Sequence, residues 1–354
     1  MPTIYDVISA PALAAYYESN PRLEAPYLFS AFFPSKKQLS LDLSYIKGAK
    51  GTVKPLSLSG YDAKAIPLPR EGFDKLETEM PYFKNMMVVN EKQKRDLVTL
   101  LAAGNQAAVD TVVGEIFNDQ GRLLDNAELT LEMMRAQALT TGKVTFANNG
   151  QKVDFDYEVP AENKVGPTVA WSDSATADPI ADLTRWADNA EIRYGVRPAY
   201  AVMNATTFAL IKKAKAVKDA IYVLGNGAVT PSAAKVKEHI KDETGLTILV
   251  YNKGYEDATG RFVKFVPDNK ISLFPDMAMG NTWFSPTPAE IDLQGSNEIE
   301  SFQLFDNGIA LYTKKQHDPV TVQTLIAMIA MVSMERANNL ILADVSVAGG
   351  EDNL

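Results

Sequence analysis

Cysteine is absent from the 354 residues, and histidine occurs only twice. Without a thiol, the chain has no disulfide framework, no cysteine nucleophile and no thiolate zinc or iron–sulfur site. That absence suits a reducing cytosol, and equally a particle exposed to oxidation after leaving a cell. A surplus of basic charge is also missing: 35 Lys and Arg stand against 44 Asp and Glu, a formal charge of −9 at pH 7. Gripping nucleic acid requires cations that displace counterions from phosphates. The balance argues against sequence-specific recognition, although enclosing a polymer does not require adhering to it. Long hydrophobic runs are missing too. The longest, residues 325–334, is interrupted only by Ser333 and is too short to span a bilayer. It is expected as a buried strand or helix. The opening MPTIYDVIS has neither the basic start nor the apolar core of a signal peptide. A soluble chain with no membrane partner is the expectation.

What is present is an ordinary globular composition, 46% hydrophobic and 22% charged, with 14 Tyr, 15 Phe, 3 Trp and 12 Met. That much aromatic and apolar material argues against wholesale disorder. Residues 1–37 are aromatic and punctuated by proline, with Phe29, Phe32 and Phe33 close together. The stretch 4–17 is compatible with a helix. The rest is too apolar to float in water and too broken to be regular, which points to an arm seated on a neighbouring surface. In 38–45, Leu39, Leu41 and Leu43 alternate with Ser40, Asp42 and Ser44, the period of a half-buried strand. Residues 52–58 read as another strand. The segment 61–89 reads as extended, with a turn signal at Pro69, Arg70, Glu71 and Gly72. It too needs something to lie against.

Helical periodicity takes over at 91–117 and resumes, past Gly121, from Asp125 or Asn126 to a stop at Gly142, predicting a long helix kinked near Gly121. Asn148, Asn149 and Gly150 sit between alternating segments, and Asn-Gly supplies the positive φ angles that a tight hairpin needs. From 167 to about 305, helices and strands mix as a separate α/β lobe. Asp178 with Pro179 opens a helix that closes at Gly195, and Asn204 caps the next. Residues 200–203 and 246–251 read as strands, and 257–260 as a hairpin turn. Residues 309–347 are again apolar and extended, and are expected to rejoin the earlier β-structure.

Catalytic and ligand-binding patterns are not found. No Gly-x-Gly-x-x-Gly follows a strand, and no Gly-x-Ser-x-Gly elbow or phosphate-binding loop appears. His239 lies in a predicted helix among lysines and glutamate, where a solvated face is the plain reading, and His317 sits in a polar run. A two-histidine metal site requires the fold to join them. Lys212, Lys213, Lys215 and Lys218 are better read as a solvated helical face than as an anion reader. Asn204-Ala205-Thr206 matches a glycosylation acceptor, a common chance match. No catalytic residue, cofactor or metal is expected.

The order of parts nevertheless carries a resemblance. Phe32-Phe33 precedes the alternating strand, and Lys54-Pro55 and Ser59-Gly60 lie in the extended stretch. Pro81-Tyr82-Phe83-Lys84 leads into the long helix, and Gly142-Lys143-Val144-Thr145 follows it. Trp171-Ser172 precedes Asp178-Pro179, and Val266-Pro267-Asp268-Asn269 and Asp318-Pro319 come late. In that order the chain resembles the lambda-type major capsid proteins, the major head protein E family, over about residues 27–345.

The resemblance implies an α+β fold of the tailed-phage capsid type. Residues 1–37 would be an N-terminal arm and 38–90 an extended loop lying over a neighbouring subunit. Residues 91–166 would form a peripheral domain with a spine helix, 167–308 an axial domain, and 309–354 a return to the peripheral domain. It implies self-association into pentamers, hexamers and a closed shell around double-stranded DNA. Scaffold, portal and decoration proteins would be partners, with assembly in the host cytoplasm and residence in the virion. Phe29, Phe32, Phe33 and the turn Pro69, Arg70, Glu71 and Gly72 are the expected intersubunit contacts. An encapsulin-like compartment shares the fold and is one alternative. A soluble α/β enzyme or ligand-binding protein is another, and it leaves the arm and the loop unexplained.

Overall fold

The computed structural model describes residues 9–19, 27–47, 74–104, 106–148, 151–222, 230–257, 259–291, 301–305 and 308–349. In chain order, helix α1 (Ala10–Ser19) and a 3-10 turn (Phe29–Phe32) precede strands β1 (Ser35–Lys37), β2 (Asp42–Lys47), β3 (Asp74–Glu79) and β4 (Tyr82–Val89). Helices α2 (Glu91–Ala102) and α3 (Gln106–Thr141) follow, then β5 (Lys143–Asn148), β6 (Gln151–Asp156) and β7 (Lys164–Val165). Next come α4 (Pro179–Tyr194), β8 (Tyr200–Met203), α5 (Ala205–Lys213), α6 (Lys215–Ile221) and α7 (Ala233–Thr244). Strands β9 (Thr247–Val250), β10 (Gly254–Glu256), β11 (Phe262–Lys264), β12 (Lys270–Phe274) and β13 (Asn281–Ser285) lead to helix α8 (Pro288–Ile291). The chain closes with β14 (Ser301–Phe305), β15 (Ile309–His317), β16 (Val320–Ser333) and β17 (Ile341–Asp344).

These elements form two compact units. The first gathers the described residues of Met1–Leu43, Thr78–Met134 and Asn281–Ser333, and the second those of Ser44–Glu77, Arg135–Gly280 and Met334–Leu354.

The first unit is built on β16. Its fourteen residues pair with β15 on one side and β4 on the other, and beyond β15 the strand is continued by β13. Ile329 bridges both Ser285 and Tyr82, which places β13 and β4 on opposite edges of β16. All residues from Thr321 to Ser333 are buried, so the apolar run of 325–334 is a strand covered on both faces. Its Leu, Ala and Met content favours helix, but the ladder partners far away in sequence decide the outcome.

Between α2 and α3 the chain breaks at Ala103 and Gly104, and Gly104 has φ +67°. The kink expected near Gly121 is not there: α3 runs unbroken through it, with Gly121 buried. A mid-helix glycine costs about 1 kcal/mol, less than the burial of this long helix returns. Helix α2 starts with a reciprocal cap in which the Asn90 carboxamide oxygen accepts from the Gln93 amide N–H at 3.0 Å, while the Gln93 side chain accepts from the Asn90 N–H at 3.2 Å.

The strand expected at 38–45 is also corrected. Strand β2 begins only at Asp42, and of the three alternating leucines only Leu43 is buried, whereas Leu39 is 90% exposed. The Gln38 side chain donates to the carbonyls of Ser40 and Asp42, both at 3.1 Å, and holds a bend there in place of a ladder.

The second unit contains the mixed sheet β7-β17-β12-β8-β9. Its core joins Trp171 and Trp186, stacked at 6.0 Å, to Leu183, Met203, Ile211, Val236, Ile248 and Leu273. The expected caps are in place. Asp178 accepts from the N–H groups of Ile180 and Ala181, Pro179 opens α4, and Gly195 closes it with φ +68°. Asn204 caps α5, accepting from Thr207 N–H at 2.8 Å, and its amide is spent on the Val266 carbonyl and Asp268, so the glycosylation match is a buried cap. Helix α7 is opened not by the Thr230-Pro231 pair that the sequence offers but by Ser232, which caps it, and it ends at Gly245 with φ +78°. The β5–β6 ladder closes at Asn148 and Gln151, as a two-residue hairpin turn requires. Its alternation stops at Asp156, and Glu158 takes φ +51°.

Candidate assembly surface

Of the seven residues expected to touch a neighbour, the structure describes Phe29, Phe32 and Phe33. Phe29, Phe32 and Phe33 are buried inside their own first unit. The Phe29 N–H donates to the Glu132 carboxylate at 3.0 Å, the Phe33 carbonyl accepts from the Thr282 hydroxyl at 3.1 Å, and the Pro34 carbonyl accepts from Thr282 N–H at 3.0 Å.

Helix α1 is seated as well. Ala10, Leu13 and Ala14 are buried, and the Ala10 N–H donates to Ser301 Oγ at 2.8 Å. Tyr16 and Tyr17 donate to Asn118 and Asp125 at 3.1 and 2.9 Å. The expectation that this arm needs a second copy is therefore corrected for residues 9–19 and 27–37. Its partners lie more than a hundred residues away in the same chain, where local patterning does not reveal them. Pro69, Arg70, Glu71 and Gly72 lie outside the described residues.

The open apolar surface of the first unit is instead on β4. Among the described residues β4 pairs in a sheet with β16 alone. On one face, Tyr82, Met86 and Val88 are 46%, 57% and 43% exposed, with Lys84 between them. Directly across the ladder Met86 meets Leu325, which in turn faces Tyr312, and these two belong to a buried cluster with Ala289 and Ala327. The β4 face thus continues a core outward into solvent. Burial, reinforced by Tyr312 and opposed by Lys84, holds the Tyr82 phenol above its usual range. Leu39 and Leu41 add exposed apolar surface nearby, since the Met80 N–H donates to the Leu41 carbonyl at 3.0 Å. An exposed apolar face of this kind marks a surface that another chain can cover.

Among the described residues, no group of three or more His, Asp or Glu side chains is placed to hold a metal ion, and no helix is long and apolar enough to cross a membrane. The two histidines belong to different units, His239 half-buried on α7 and His317 at the end of β15. Lys213 and Lys215 are exposed, and Lys212 and Lys218 half-buried, on α5 and α6. In the second unit an open groove of about 780 Å³ lies between α4, α6 and α7.

The model of one family, described as phage major capsid protein E, matches residues 9–345. The chain belongs to the phage major capsid protein E family.

Solved structures agree at the level of fold. A protein described as a prophage capsid protein of Escherichia coli CFT073 superposes with a TM-score of 0.57 at 14% identity, covering 95% of this chain and 99% of its own. A phage-related protein of Bordetella bronchiseptica RB50 gives 0.56 at 10% identity, covering 96% and 98%. A search by sequence among curated proteins finds no match. Like other phage major capsid E proteins, this chain is a structural subunit of a virion shell, and the role of its family is structural, not catalytic. The compartment reading gives way to it.

Proposed function

We propose that copies of this chain assemble into rings of five and six that close into an icosahedral shell around double-stranded DNA, with no catalysis in the role. Residues 1–37 act as the arm, 38–90 as the loop reaching a neighbour, 91–166 and 309–354 as the peripheral domain, and 167–308 as the axial domain. The observation that carries the reading is the β4 shelf, on which Tyr82, Met86 and Val88 form an exposed apolar face. The apolar contact expected of Phe29, Phe32 and Phe33 passes to Tyr82, Met86 and Val88, and the turn at residues 69–72 is kept as a contact. A subunit held at several weak sites dissociates far more slowly than one held at a single site. The acidic balance supports enclosure without sequence-specific binding. Scaffold and portal proteins, and decoration proteins on the outer face, are the further partners, and assembly takes place in the host cytoplasm before the subunit resides in the virion.

Sedimentation and negative-stain imaging of the expressed chain, alone and with its scaffold, test this. The wild-type chain is expected to form rings or shells, and Met86→Lys to lose them while its thermal unfolding stays within about 0.5 kcal/mol, as for other exposed positions. A wild-type chain that remains monomeric at high concentration with its scaffold would refute the proposal.

A further inference from the structure

We propose that Met86 is a redox-sensitive modification site that gates assembly: a peroxide converts its thioether to the sulfoxide in the free subunit, and the oxidised shelf no longer buries against another copy. This rests on the reading that the β4 shelf is a contact between copies.

Sulfur chemistry in this chain falls entirely on methionine, since the sequence holds 12 Met and no Cys. A dissolved peroxide attacks a thioether where solvent reaches the sulfur. Interior methionines are shielded: Met80 and Met328 are 3% and 2% exposed, and Met134, Met203, Met331 and Met334 are fully buried. Met87 and Met133 are half-buried. Met86 stands apart at 57% exposed, and Met277 follows at 36%. Met277 lies between β12 and β13 and belongs to the second unit, so its oxidation leaves the β4 face chemically unchanged.

The position of Met86 makes the modification consequential. It lies directly across the ladder from Leu325, a member of the buried cluster with Tyr312 and Ala327, so a copy covering the shelf closes over the outer margin of that cluster. A thioether is flexible and polarisable and joins an apolar contact without demanding a hydrogen bond. In the oxidation, the sulfur lone pair attacks one peroxide oxygen, the O–O bond breaks and an S–O bond forms. Sulfur is oxidised by two electrons, and hydrogen peroxide is reduced and leaves as water. The product is a polar, chiral sulfoxide whose oxygen is a strong acceptor. Burying that oxygen without a donor opposes the contact that the thioether favoured.

Hydrogen peroxide treatment of the full-length subunit tests the switch. Tandem mass spectrometry separates oxidation at Met86 from that at Met87, thermal melts check folding, and sedimentation velocity compares the assembled fraction with and without peroxide. Met86 is expected to oxidise first, together with Met277, and the treated wild-type chain to lose assembled fraction roughly tenfold while it still melts cooperatively. Assembly of Met86→Leu is expected not to respond to peroxide, and that of Met277→Leu to respond as wild type does. A methionine sulfoxide reductase with a dithiol, which becomes a disulfide as the oxygen leaves as water, is expected to restore the treated wild-type chain. Three results would each overturn the switch while wild-type shells still uphold assembly. They are Met86 oxidising no faster than Met80 or Met328, an oxidised wild-type chain that assembles as before, and Met86→Leu losing as much as wild type. A wild-type chain that never assembles, treated or untreated, refutes both readings.

Discussion

Asp182 in helix α4 is 3% exposed and receives four donors. Its Oδ1 accepts from the Thr168 N–H at 3.0 Å, the Thr168 hydroxyl at 3.1 Å and Arg185 Nη2 at 3.0 Å, and its Oδ2 accepts from Trp171 Nε1 at 2.9 Å. One carboxylate therefore ties the segment of Thr168 and Trp171 to helix α4 and orients the Trp171 ring against Trp186. Replacing it with alanine leaves the Trp171 and Thr168 N–H groups without this acceptor and removes one of the acceptors of Arg185, whose side chain is 30% exposed. Each buried donor left unsatisfied costs about 1–3 kcal/mol, so the loss is expected to be about 2–4 kcal/mol. Asp182→Asn keeps one acceptor oxygen but turns an NH2 toward either the indole N–H or the Thr168 donors, and is expected to cost about 2–3 kcal/mol. Urea unfolding followed by tryptophan fluorescence reads this directly, because two of the three tryptophans lie in the affected core. The reasoning fails if Asp182→Ala shifts the unfolding free energy by less than about 1 kcal/mol.

Two glycines with nearly the same backbone conformation separate conformational strain from packing. Gly104 has φ +67° and open space around it, so Gly104→Ala is expected to cost about 1 kcal/mol. Gly142 has φ +70°, and a methyl group there would lie 2.7 Å from Val159 Cγ2, so Gly142→Ala is expected to cost about 2–4 kcal/mol. Equal effects in chemical denaturation would rule this account out. In the second unit, the bond from Lys264 holds the Asp268 carboxyl below its usual range against the opposing effect of burial. Burial pushes the Asp344 carboxyl up, but bonds from Lys270 and Ser346 outweigh it and lower it overall. Depressed carboxyls contribute stability that is present above the unfolded value of about 4 and is lost as the pH falls through the folded values. The urea midpoint should fall between pH 5 and pH 3 by less in the Lys264→Met, Lys270→Met double variant than in wild type, and identical pH profiles would sink the assignment.

Local chemistry was readable wherever a turn or a cap had only one residue type to offer. Asp178 with Pro179, Asn204 and Gly195 all sit where their side chains or φ angles require, and the β5–β6 ladder closes at Asn148 and Gln151. The mixed helix and sheet fold and the capsid family were also legible, through the order of motifs along the chain. The kink placed at Gly121 failed because the packed surface along a long helix outweighs a single glycine. The strand placed at 38–45 failed because Gln38 satisfies the backbone of a bend that preserves the alternation of leucines without burying them.

By itself the sequence determined the caps, the turns, the acidic balance and the family, because each depends on residues near one another or on their order. Only the tertiary structure decided which apolar groups are free to meet another copy. Phe29, Phe32 and Phe33 look homeless in sequence, yet Glu132 and Thr282 fix their backbone from far along the chain. Tyr82, Met86 and Val88 look like an ordinary strand, yet their face of β4 remains 46%, 57% and 43% exposed at these residues. Exposure is a property of what lies across the sheet, and the chain folds over long distances to set it.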